Sequence, residues 1–141
     1  MSGVTDSAFR MMVKRASGDS VGLLVSEFIS IELLTSHSMQ AAIRMAFDVR
    51  EHPICIQIYG SDIEKMAEAA RMVEDAGADV VEINCGCPAP KIVRRGGGAG
   101  LLRERVSGWV SGTLVAPVFR WAFLKAPFVI KNNLVCKNNA H

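Results

Sequence analysis

Cys87 stands between Gly86 and Pro88 in the run NCGCPAPKIVRR, residues 84–95. Proline stiffens such a loop and glycine permits close approach, so the thiol is presented in a fixed place to whatever lies beside it. A thiol so held donates a proton or attacks as a nucleophile, depending on its local pKa. A structural cysteine is the alternative. Cys85 and Cys87 form a C-x-C pair with no second pair, a spacing that argues against zinc, and no metal site is expected. Just downstream, Lys91, Arg94 and Arg95 precede Gly96, Gly97 and Gly98, a run suited to holding phosphate or simply to facing water. It lacks the spacing of the nucleotide-binding glycine motifs. His37, His52 and His141 are scattered and suggest no metal or triad geometry.

These groups need a frame, and the first hundred residues supply one by alternating strand-like and helix-like segments, the pattern of βα units on a parallel sheet. Strands are expected over 22–28, 54–60 and 79–85, short apolar runs rich in β-branched residues. Successive side chains on a strand face opposite ways. Cys55, Gln57 and Tyr59 therefore share one face and Ile54, Ile56 and Ile58 the other, while Glu82 and Asn84 oppose Val81 and Ile83. Burying Gln57, Glu82 and Asn84 without partners would cost about 1–3 kcal/mol each, so a polar row implies a hydrogen-bond network or a polar ligand.

Between the strands, Phe9, Met12, Val13 and Ala16 mark an opening helix capped by Thr5 or Asp6. A second helix is expected over 30–47. The clearest starts with a capping box at Ser61 and Glu64, carries Ile63, Met66, Ala67, Ala70 and Val73 on one face, and stops at Gly77. Beyond Leu102 prolines and glycines interrupt every candidate element, so 103–141 is set apart as a divergent tail without assigned structure.

Composition bounds the partners. The chain has 141 residues, half of them hydrophobic and 21% charged, as an ordinary globular domain requires. A net charge of +2 from 16 basic and 14 acidic residues does not by itself advertise nucleic acid, so any RNA contact must be local. Without a recognisable export signal or paired cysteine spacing, a reducing cytoplasm is expected. The apolar stretch 109–130 carries Arg120, Lys125 and two prolines, which argues against a membrane span.

Three segments together, M-x-G-x-T-D at 1–6, Q-x-x-G-S-D at 57–62 and N-x-G-C-P-x-x-K at 84–91, resemble the tRNA-dihydrouridine synthases. The resemblance covers 1–102 and implies an α/β fold, a partial TIM (β/α)8 barrel of roughly the first four βα units with the first strand missing. It also implies FMN as cofactor, NADPH as reductant and uridine in tRNA as substrate, with Cys87 as the catalytic proton donor. Gln57 and the Met1, Ser2, Gly3 turn then match cofactor-binding positions, and Asn84, Lys91 and Arg94 lie near the substrate or RNA. Past Leu102 the family's K-x-R strand with its flavin-contacting lysine, its later histidine and its glycine-rich phosphate loops are not found. A full barrel needs about 250 residues. A truncated chain with little independent activity is therefore expected, or a non-catalytic fragment that associates through unpaired sheet edges.

Overall fold

The computed structural model describes residues 3–101 and 128–131, the last four by backbone course alone. Among them four strands, β1 (Leu24–Ser30), β2 (Ile54–Tyr59), β3 (Val80–Asn84) and β4 (Phe128–Lys131), form a parallel sheet in the order β1-β2-β3-β4. Each crossover thus moves one strand further in the same direction, without the reversal that marks a doubly wound sheet. The α/β reading and the three expected strands hold, with ends moved by at most two residues. The fourth strand lies in 103–141, the tail for which no structure was assigned. It follows a proline with an apolar, β-branched run, FVIK, and runs parallel to β3 with Lys131 in register with Asn84.

Parallel strands need crossovers. The α1 helix (Ser7–Ser17) is capped by Asp6, whose carboxylate accepts from the Phe9 amide at 2.8 Å. One continuous helix over 30–47 does not form. Ser30 ends β1 and caps α2 (Ile31–Leu34), and after a break Ser38 caps α3 (Met39–Met45). Two serines able to satisfy orphan amides start two helices where apolar periodicity suggested one, and His37 between them takes a positive φ of 49°. The next helix, α4 (Ile63–Asp75), is capped by Asp62, whose carboxylate accepts from the Lys65 amide. The expected Ser61 cap is displaced by one residue, and the Ser61 hydroxyl instead donates to the Arg95 carbonyl at 2.8 Å.

The helical side of the sheet is a dry core. Ile54, Ile56 and Ile58 are fully buried with Ile31 and Leu34 of α2 and with Met66, Ala69 and Val73 of α4. Each large side chain there contributes about 1.5–3 kcal/mol through removal from water. Polar ties close the N-terminal end. Asp79 accepts from the Ile54 amide at 2.7 Å and meets His52 Nδ1 at 2.6 Å. Burial raises the Asp79 pKa, but these hydrogen bonds and the histidine charge outweigh it and the carboxyl is held below its usual value. The α1 helix is anchored by Arg10, which pairs in the interior with Glu51 of the 3₁₀ turn Val49–Glu51. No described helix is long and apolar enough to cross a membrane.

Candidate functional site

The other side of the sheet carries the polar row. Register places Phe28, Gln57 and Glu82 side by side, with Ser30 beside Tyr59 and Cys55 beside Val80. An extra residue at Ser26 and Glu27 shifts β1 against β2, a bulge that brings Phe28 rather than Glu27 into line with Gln57. The Ser26 hydroxyl repairs the interrupted ladder by accepting from the Gln57 amide at 3.0 Å.

Gln57 and Glu82 are both 6% exposed, so their hydrogen bonds decide whether they are tolerable. Gln57 Nε2 donates to Glu82 Oε1 at 2.7 Å, and Asn84 Nδ2 donates to Gln57 Oε1 at 2.9 Å. Asn84 Oδ1 in turn accepts from the backbone amides of Gly86 at 3.1 Å and Cys87 at 3.0 Å. The three side chains flagged by strand alternation are therefore one network, and it ends on the cysteine loop.

Cys87 is half-buried and free, and its loop is held at both backbone polar atoms. Its amide meets Asn84, while its carbonyl accepts from the Ala99 amide at 3.0 Å. Gly98 makes that second contact possible. At φ +55° it has the left-handed backbone glycine tolerates best, and a Cβ there would stand 2.6 Å from the Cys87 carbonyl oxygen. Cys85, by contrast, is buried in the apolar cluster. Burial and the nearby Glu82 carboxylate push its thiol up, which keeps it protonated and inert. Among the described residues no three His, Cys, Asp or Glu side chains converge as metal ligands.

Beside the cysteine loop, at the C-terminal ends of β1 and β2, lies a cavity of about 120 Å³. Ser30, Glu32, Tyr59, Lys91 and Arg95 line it together with the backbone of Gly60 and Gly97. Lys91 is therefore at this mouth. Arg94 is not: its Nε donates to the Pro90 carbonyl at 3.2 Å, on the exposed side of the turn α5 (Pro90–Val93). Arg95, from the same basic run, lies beside the cavity, because a one-turn helix followed by a glycine loop turns adjacent residues to different sides. Gly3 occupies an exposed turn before α1 at φ +78°, with open space where a side chain would stand. Met1 and Ser2 lie outside the described residues. Within the unassigned tail, the proline-led, β-branched run before Lys131 was the signal for β4.

A sequence model of a protein family, described as Dihydrouridine synthase (Dus), matches residues 1–107. The chain is 36% identical over 104 residues to tRNA-dihydrouridine synthase B of Pseudomonas putida, covering 74% of this chain and 30% of that protein. It is 40% identical over 119 residues to probable tRNA-dihydrouridine synthase 1 of Synechocystis, covering 84% and 33%. With the probable tRNA-dihydrouridine synthase of Rickettsia bellii it shares 37% identity over 136 residues, covering 93% and 38%. A match of that extent necessarily runs through β4. The chain spans about a third of the length of these curated relatives.

Proposed function

Since the chain belongs to the dihydrouridine synthase family, we propose that it carries the proton-donating part of an FMN- and NADPH-dependent tRNA-dihydrouridine synthase, with little turnover by itself. The observation that carries this reading is the hydrogen-bonded line from Glu82 through Gln57 and Asn84 to the backbone of Cys87, set at the C-terminal ends of parallel strands. Ligands of parallel-strand barrels sit at that end. We read the sheet as an arc of such a barrel, with the polar row on its inner face.

The donor set fits a flavin edge. After its described bonds Gln57 keeps one amide hydrogen and one lone pair, and Asn84 keeps one amide hydrogen, a pattern matched to the carbonyl and N–H groups of the ring. The Met1, Ser2, Gly3 turn is a further candidate for the cofactor. When bound, FMN reduced by NADPH would supply hydride chemistry at one carbon of the uracil double bond. Cys87 gives its thiol proton to the neighbouring carbon and leaves as thiolate, so the substrate gains two hydrogens and no net charge. Asn84 and the Ala99 amide hold the loop in which that thiol is presented. The setting is the cytoplasm, where a free thiol persists.

Lys91 and Arg95, beside the cavity, contact the RNA backbone in this reading, and Arg94 adds charge from outside it. Lys91→Ala with Arg95→Ala should weaken tRNA binding at low salt and flatten the slope of log affinity against log salt by about one to two. An unchanged slope would remove them from the interface.

The reading itself is tested by titrating FMN into the purified chain and measuring dihydrouridine in tRNA after addition of NADPH. Quenched flavin fluorescence with slow product formation, well under a typical turnover of about 10 per second, is expected. Absence of FMN binding would overturn it in favour of the second reading, a non-catalytic unit that associates through its sheet edge. That alternative draws on β1, which among the described strands pairs only with β2 and leaves Leu24–Ser30 with an open row of backbone groups. Light scattering separates the two, since a monodisperse monomer counts against edge association.

A further inference from the structure

We propose that Glu82 is a positioning residue whose carboxylate sets the direction of the whole hydrogen-bond line and thereby fixes the Cys87 loop. For its catalytic consequence this rests on the reading of Cys87 as proton donor; the positioning itself stands on geometry. Gln57 and Asn84 each carry an amide, and an amide is symmetrical in shape but not in polarity. Either could be turned end for end at little steric cost. A carboxylate only accepts. Glu82 Oε1 at 2.7 Å therefore obliges Gln57 to present its Nε2, which leaves Gln57 Oε1 facing β3. Only the Nδ2 of Asn84 can answer that oxygen, at 2.9 Å, and Asn84 Oδ1 is thereby turned to the loop. There it meets two backbone donors, the amides of Gly86 and Cys87.

Were the Asn84 amide reversed, an NH2 group would face those two N–H groups and the loop would lose both bonds. The acceptor-only Glu82, two side chains away, thus acts together with the donor-only loop amides to hold Asn84 in the orientation that pins the loop. The second Glu82 oxygen strengthens the assignment, because it takes the Cys55 thiol at 3.9 Å and so is itself engaged. Among the described residues Glu82 forms no ion pair, so directing these donors is the role the structure shows for it.

The test uses hydrogen exchange at individual amides of the 141-residue chain, read by NMR. In Glu82→Gln the line loses its fixed direction, and the Gly86 and Cys87 amides are expected to exchange about tenfold faster, as loss of one hydrogen bond each implies. The core amides of β2 and β3 should keep their protection. The double variant Glu82→Gln with Gln57→Glu moves the acceptor-only group one place along the line. The new acid at position 57 accepts from both neighbours, so Asn84 keeps its orientation and protection at Gly86 and Cys87 is expected to return.

Unchanged exchange at those two amides in Glu82→Gln would overturn the proposal. So would local acceleration that the double variant leaves in place, since direction would then not be the cause. Protection lost across the whole sheet and not regained in the double variant would make Glu82 a residue of the fold and sink the positioning role. None of these readouts depends on flavin or tRNA, so a failed activity assay leaves the result standing.

Discussion

Cys87→Ala is expected to lower dihydrouridine formation by about 10²–10⁴-fold, the span over which a positioned proton donor contributes to a reaction. The thiol is half-buried and its loop is held by backbone atoms, the Cys87 amide on Asn84 and the Cys87 carbonyl on Ala99. Removing Sγ therefore leaves every described contact of the loop in place, and stability should move by less than about 1 kcal/mol. The expected signature is a collapse in rate with FMN binding and urea midpoint unchanged. Mass spectrometry of nucleosides from tRNA incubated with the chain, FMN and NADPH reads the rate. An alanine variant within about twofold of the parent would mean that the proton comes from elsewhere, from solvent or another acid. Cys85→Ala serves as the internal contrast, because that thiol packs in the apolar cluster and its loss should cost stability rather than rate.

The largest effect on folding is expected at Glu51. Its side chain is 0% exposed and that of Arg10 is 5%, and the two are paired through Arg10 Nε and Glu51 Oε2. Ser7 Oγ donates to Glu51 as well, and the Asp48 amide donates to it at 2.8 Å. The remaining guanidinium donors reach the Thr5 carbonyl at 2.7 Å and the Ala46 carbonyl at 3.2 Å. Removing either member strands the other charge in the interior. Glu51→Ala or Arg10→Ala should each cost about 3–5 kcal/mol, a large part of a stability of about 5–15 kcal/mol. Replacing both by methionine should cost less than either single change, because no charge is then left unpaired. Urea unfolding of the four proteins checks this, and a double variant as weak as the sum of the singles would refute the buried-pair account.

The same carboxyl predicts a pH dependence. Burial raises the Glu51 pKa, but hydrogen bonds from Arg10, Ser7 and the Asp48 amide, with the Arg10 charge, outweigh it and hold the group below its ordinary 4.5. A lowered folded value means stability that is fully present above about 4.5 and lost as pH falls through the folded pKa. The stability difference between the parent chain and Glu51→Gln should therefore stay level from about pH 7 to 5 and shrink only in more acid solution. A difference that grows on acidification would reverse the sign and exclude this cause.

Much of the site was legible because strand periodicity is local. Two-residue alternation in ICIQIY and VVEIN is enough to put Gln57, Glu82 and Asn84 on one face and the isoleucines on the other, and the structure keeps that division. The glycine, cysteine and proline of the loop after β3 likewise announced a constrained thiol, and the three motif segments announced the family now matched over 1–107. What alternation cannot carry is direction and distance. That Gln57 presents nitrogen to Glu82 and oxygen to Asn84 follows from strands brought into register, a relation between residues 25 and 27 positions apart. The Arg10 and Glu51 pair spans 41 positions, and neither residue type advertises burial without the other. The choice of Arg95 over Arg94 for the cavity was settled by the turn of a single helical loop. The same holds for β4: its own residues are a strand only when the edge of β3 is there to pair with, and that edge, not local propensity, places Lys131 beside Asn84.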